Sequence, residues 1–500
     1  MFNQTLNRKQ ASILAILVST LSGTSIMFTP YIGDEIWAIY LHGTQYLNDP
    51  FSIFVRPIKE IPLWLNSGNF RPLGRFFEHL GYFLPMLLTS ITNITPEVWY
   101  AVNRLVLWII FHLSIFFFCM QLFKSYFGKV ENIALLSVII SNSISLINNQ
   151  AGGLRLFPMF YNISVIILIA SLYLILIRTK FKYNTKKWNL IKIFIGILAA
   201  TYNELTNIII PLSLVLIYLT NEAPNLNNKI RKSLQDFSHI VIPFLLIWAP
   251  IRIIISGKCN LYECYEPSSV SAVGLTDGTV LSRLTSAIPP IPQITSERWL
   301  GDVHLSSAQK ISTLLICIVM LLQLIYILRK LSNHMIYIPE ISVKISLVLG
   351  ILGLLITSML LSMSLELQKN KFMGVSWRET PIYIFFISII LLASITSTMG
   401  KIKRRKILNK AFIFLSISLI VVTNFLTFTQ NAKFTNLYNQ HPVVGISKSI
   451  EYELVNLNSE LSGQICFKIF NDQYFSRDVS LALVQGINQY SMFKTGRELC

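Results

Sequence analysis

Apolar stretches of 15 to 26 residues recur from one end of this 500-residue chain to the other, at 11–29, 97–122, 131–149, 157–177, 189–203, 205–220, 237–256, 310–328, 343–363, 381–398 and 411–429. A helix needs about 20 apolar residues to cross roughly 30 Å of hydrocarbon. In hydrocarbon each backbone N–H and C=O must also be satisfied without water, which helices do internally. The pattern predicts an all-α polytopic membrane protein with about 11 transmembrane helices. Composition agrees: 53% of residues are hydrophobic and 13% charged, about half the charge of a soluble domain.

The net charge of +18 raises the question of a nucleic-acid partner, and its distribution excludes one. Basic residues cluster between the apolar stretches, as at Arg178, Lys180, Lys182, Lys186 and Lys187, and again at Lys401, Lys403, Arg404, Arg405 and Lys406. Lys and Arg accumulate in this way on the cytoplasmic face of membrane proteins. A cytoplasmic N-terminus puts the clusters at 123–130, 178–188, 221–235, 329–342 and 398–410 all inside. The first stretch follows Arg8 and Lys9 but lacks a small-residue cleavage pattern, so it reads as a retained span. The expected location is the cell's inner (plasma) membrane.

The stretch 189–220 makes about 48 Å of helix, too long for one span and too short for two. It reads as a hairpin of two short helices with its apex at Tyr202, Asn203 and Glu204. Outside the membrane lie a long first loop (30–96), a second loop (257–308) and a tail (430–500). The first loop should hold one or two helices along the interface, with Phe76 to Ile91 apolar enough for one. The division is therefore a transmembrane domain, 1–429, and a non-cytoplasmic tail, 430–500, with mixed short patterns that suggest a small α/β unit. Cys259 with Cys264, and Cys466 with Cys500, are pairs that could form disulfides in an oxidising compartment, and the sequence leaves both open.

Acids are scarce, so their placement is informative. Asp34 and Glu35 follow the first span directly. Adjacent carboxylates there suit a general base, or a divalent cation held by Asp34; the alternative is ordinary interfacial acids beside Tyr31, Trp37 and Tyr40. Further along the loop, Arg71-Pro72-Leu73-Gly74-Arg75 sets two arginines four residues apart. On one helix face they would present planar forks of donors to a phosphate; the alternative is snorkelling to headgroups.

An acidic pair just after the first span, followed by an Arg-Pro-Leu segment in a long outer loop, resembles the GT-C superfamily of membrane glycosyltransferases. The resemblance covers the first loop by motif and the later spans by layout. It implies a polyprenyl-phosphate sugar donor, a non-cytoplasmic active site and a loop carboxylate as base. Asp34 or Glu35 matches the acidic motif, and Arg71 the arginine of the Arg-Pro segment.

Other candidates follow from topology. Asn203 and Glu204 sit at the hairpin apex, where an acid at membrane depth faces a cavity or a partner. Arg155 and Arg378 lie at outer turns, as phosphate ligands, buried ion pairs or anchors. Arg104 and Arg252, near outer span ends, read as snorkelling residues; His42, His79 and His304 read as isolated. No Gly-rich phosphate loop, Gly-x-Ser-x-Gly elbow or His-Glu-x-x-His helix occurs. The expected function is transfer of a sugar from a lipid-linked donor to a cell-envelope glycan or lipid acceptor during polysaccharide biosynthesis. The alternatives are a transporter or flippase of lipid-linked glycans, and a non-enzymatic envelope assembly subunit.

Overall fold

The computed structural model describes residues 7–498 except 31–33, 125–129, 148–153, 155–156, 181–184, 260–263, 265–268, 333–339, 370, 372, 376–377, 402–405, 442–443, 446, 451–461 and 472–475. Among the described residues the protein is all-helical, its extended pairing limited to one bridge between Val270 and Ser364.

Among the described residues seven helices are long and apolar enough to cross a membrane: Pro96–Leu122, Pro158–Ile177, Leu226–Cys259, Ser307–Arg329, Glu340–Ser362, Thr380–Thr398 and Phe414–Asn439. The other four expected spans form shorter helices, Arg8–Ser22, Val130–Ser143, Thr185–Thr201 and Ile209–Thr220, of 15, 14, 17 and 12 residues. Val130–Ser143 explains how a short segment is accommodated. Every residue from Asn132 to Ser143 is buried, so its neighbours rather than lipid surround it. That surrounding makes its polar side chains useful. Asn142 accepts the Ser22 hydroxyl, and Asn424 Nδ2 donates to Ser143 Oγ at 3.0 Å. Such interhelical bonds contribute on average about 0.6 kcal/mol each.

The helix ends sort into two groups. At one end the Ser342 hydroxyl donates to the Leu122 carbonyl at 2.8 Å, and Lys192 pairs with Asp236 at 3.1 Å. At the other end the first loop, the 257–308 loop, the turn before Thr380 and the tail come together. These are the segments the sequence places on one side of the membrane.

The tail differs from expectation. Its described residues comprise the end of the Lys406–Asn439 helix, a helical turn at 447–450 and the helices Ser462–Asn471 and Arg477–Thr495, with no strand among them. Leu483, Ile487 and Tyr490 pack with Ile36, Ile39, Tyr40 and Met86 of the first loop in a second, smaller core. Lys494 Nζ also donates to the Ser90 carbonyl at 2.7 Å. The helices Ser462–Asn471 and Arg477–Thr495 are thus built against the first loop, whereas residues 430–439 continue the Lys406–Asn439 helix and place Phe434 and Tyr438 in the main core. The short apolar pattern that suggested strands is one buried helix face.

Candidate functional site

The hairpin apex forms as the sequence suggests. The Thr185–Thr201 helix stops, Asn203 adopts an extended backbone, and a 3-10 turn, Glu204–Ile208, leads into Ile209–Thr220. Asn203 caps that turn, its Oδ1 accepting the Thr206 N–H at 3.1 Å. The Tyr202 hydroxyl donates to the Met159 carbonyl at 2.7 Å, fastening the apex to the start of the Pro158–Lys180 helix.

Gly74 brings the first loop to this apex. A Cβ there would lie 2.3 Å from the Tyr202 carbonyl and 2.5 Å from the Phe160 ring, so only glycine permits the approach. The approach carries Arg71 to Glu204, with Nε 2.7 Å from Oε2. Their side chains keep 13% and 36% exposure, so the pair faces open space instead of being sealed in the core. That space is a cavity of about 630 Å³ whose wall includes Arg71, Asn203, Glu204, Arg252 and Arg378. Among the described residues, three guanidinium groups against one carboxylate give it a positive balance. Much of its remaining wall is apolar or aromatic, as at Phe160, Trp248, Ile255, Val270, Leu360 and Leu361, with Asn207, Ser256, Ser269 and Ser364 adding polar groups.

The rim is fixed by local pairing. Ser271 N–H donates to Met363 O at 2.8 Å and Leu365 N–H to Ser269 O at 3.1 Å. Gly274 lies so close beneath that a Cβ would meet the Ser362 carbonyl at 1.7 Å. Cys259 lines the cavity and is disulfide-bonded to Cys264, a pairing the sequence allowed but left open. Lys258 reaches across to Asn66 of the first loop. Arg378 is set by its neighbour Glu379, which pairs at 3.1 Å with Arg283 and is fully buried with it.

The candidates therefore divide. Arg71, Arg378, Asn203 and Glu204 converge on one cavity. Arg75 does not join them. Arg71 precedes the helix that begins at Pro72, so the two arginines share no helix face. Arg75 instead donates to Glu78 at 2.6 Å and lies over the Trp64 ring at 3.8 Å. Glu35 is fully buried away from the cavity. Its Oε1 accepts from the Tyr100 hydroxyl at 2.6 Å and the Phe157 N–H at 3.2 Å, and its Oε2 from Arg104 Nη2 at 2.6 Å. Arg104 is its structural partner, not a snorkelling residue. Asp34 opens the Asp34–Ala38 helix, but its side chain lies outside the description, as does Arg155; Cys500 likewise leaves the tail pair outside the described residues. Arg252, read from sequence as an anchor, lines the cavity 5.8 Å from the Trp248 ring. Only the tertiary fold reveals it. Among the described residues no three His, Cys, Asp or Glu side chains gather to hold a metal ion.

His42 and His79 are not isolated. Their rings stack at 6.1 Å inside the first loop, and Tyr46 Oη lies 2.6 Å from His79 Nδ1. Arg56 Nη1 donates to His42 Nδ1 at 3.0 Å and to Gln45 Oε1 at 2.7 Å. Burial, then the Arg56 charge, push His42 from its ordinary 6.5 down to about 4, against opposing contributions from Gln45, Glu78 and Glu60. An unfolded chain takes up this proton first. The stability His42 contributes is therefore complete above pH 6.5 and is lost as pH falls towards 4. Purified protein should melt progressively lower between pH 7 and 5, and His42→Gln should flatten that slope. An unchanged slope in the variant would remove His42 from the account.

Comparison with protein families, with curated proteins and with solved structures finds no match to this chain.

Proposed function

We propose that this membrane protein is a glycosyltransferase that takes a sugar from a polyprenyl-phosphate donor. The observation that carries the reading is the convergence of Arg71, Arg252 and Arg378 with one described carboxylate, Glu204, in a cavity whose wall is largely apolar. Guanidinium forks suit a phosphate, and the apolar wall suits the first units of a lipid tail. A donor with such a tail explains why the site is built on membrane spans. The acceptor is a cell-envelope glycan or lipid.

The acceptor hydroxyl attacks the anomeric carbon as the bond from that carbon to the phosphate oxygen breaks. The phosphate leaves with the electron pair, and the three arginines stabilise the charge it gains. A single displacement inverts the anomeric configuration. The proton goes to a carboxylate, and Glu204 is the described carboxylate on the cavity wall. Once a phosphate engages Arg71, Glu204 loses part of its ion pair and becomes a better base. Glu35, with both oxygens occupied, holds the loop in place. The Cys259–Cys264 bond at the rim supports a non-cytoplasmic cavity, because disulfides persist in oxidising compartments. The basic clusters at the opposite helix ends support a cytoplasmic N-terminus in the plasma membrane.

A broken helix at a cavity would also serve a transporter of lipid-linked glycans, and a chemical assay separates the two. Membranes containing wild type, Glu204→Gln or Asp34→Asn are supplied with labelled polyprenyl-phosphate sugar, and loss of label from the lipid is followed. Glu204→Gln should slow transfer about 100-fold or more, as loss of a general base does. A loss confined to Asp34→Asn would move the base to the head of the Asp34–Ala38 helix. Full activity in both variants would end the transferase reading.

A further inference from the structure

Beside the cavity, and sharing Asn203, Glu204, Trp248 and Arg252 with its wall, lies a small recess of about 20 Å³ that Phe70 and Ile251 also line. That volume holds roughly one water-sized group. Two buried donors belong to its walls, Asn203 Nδ2 and Trp248 Nε1, and neither has a hydrogen-bond partner among the described residues. The orientation of the Asn203 amide is fixed, because Oδ1 is committed to the Thr206 N–H. Asn203 is 4% exposed. Leaving such donors unsatisfied is costly, so their presence on a cavity wall points to a ligand atom that accepts.

We infer that this recess reads one hydroxyl of the transferred sugar, separately from the arginines that hold its phosphate. A hydroxyl oxygen has two lone pairs, one for each donor, and fits the volume. A second phosphate does not: it is too large, and the Glu204 carboxylate on the same wall repels it. A hydrocarbon chain would leave both donors unpaired. The indole and the neighbouring apolar residues also give the sugar's C–H face a surface to rest on. The inference depends on the transferase reading, and it names the part of the donor that sets specificity.

The test uses the full-length protein in nanodiscs and two kinds of probe, bare undecaprenyl phosphate and its glucose, galactose, mannose and N-acetylglucosamine conjugates. Wild type should bind bare lipid phosphate and at least one conjugate more tightly. Trp248→Phe, which removes the donor while keeping an aromatic ring, should weaken the preferred conjugate about tenfold and bare lipid phosphate less than twofold. Asn203→Ser, which keeps a capping oxygen for the Thr206 N–H while removing the amide donor, should weaken the preferred conjugate in the same direction, its melting temperature reporting that the apex is folded. Equal losses for both probes, or no loss for either, would overturn the hydroxyl subsite while leaving the phosphate site standing. A wild type that binds neither probe would instead remove the reading beneath it.

Discussion

Arg71→Ala should lower sugar transfer about 100- to 1,000-fold, the usual cost of deleting one preorganised group that stabilises developing charge. Arg71 lies 2.7 Å from Glu204 and 5.7 Å from the Phe160 ring, so its fork is held before substrate arrives. Arg71→Lys should recover only part of the loss, because an ammonium ion cannot match two phosphate oxygens with a planar pair of donors. Arg75→Ala is the informative contrast. Its partners are Glu78 and Trp64, not the cavity, so it should lower the melting temperature more than the rate of the folded fraction. Single-turnover rates on protein normalised for folding measure all three. Equal rate losses for Arg71→Ala and Arg75→Ala would show that the cavity does not single out Arg71.

Breaking the Glu35–Arg104 pair should be among the most destabilising single changes in the protein. Both side chains are almost wholly buried, at 0% and 1% exposure, and each serves several partners. Besides Glu35, Arg104 supplies the Thr29 carbonyl at 2.6 Å, so the pair joins the end of the first span, the Pro96–Leu122 helix and Phe157. Arg104→Ala leaves a buried carboxylate uncompensated, at a cost of about 3–5 kcal/mol. Replacing both members, as in Glu35→Leu with Arg104→Met, should restore much of that stability, because no buried charge then remains. The fraction of folded protein and its melting temperature in detergent check both variants. A Glu35→Gln protein that melts like wild type but transfers no sugar would return Glu35 to the catalytic group.

What the sequence disclosed follows from which interactions are local. Apolar stretches and their basic punctuation are local, and each of the eleven stretches is helical over most of its described residues. The break at Tyr202–Asn203 was legible because 189–220 fits neither one span nor two. Span length was less legible. Whether a 14-residue helix meets lipid or protein depends on its neighbours, and Val130–Ser143 meets protein. The arginines show the same limit. Arg104 and Arg252 occupy similar places near span ends, yet one neutralises a buried acid and the other lines the cavity. Arg71 and Arg75 looked equivalent at helical spacing, but the helix starts at Pro72 and divides them. The tail's helical face was hidden for another reason. Its partner surface is the first loop, near the other end of the chain, and no short pattern encodes a contact at that separation.

Photo-crosslinking offers the most direct measure of whether the arginine-lined cavity receives a lipid phosphate. A polyprenyl phosphate carrying a diazirine in its first isoprene unit should label the cavity wall, at Leu360, Leu361 or Ile255, and excess unmodified lipid phosphate should suppress the labelling. Arg71→Ala should suppress it as well. Labelling spread over the lipid-facing helices, unaffected by competitor and by Arg71→Ala, would contradict the account.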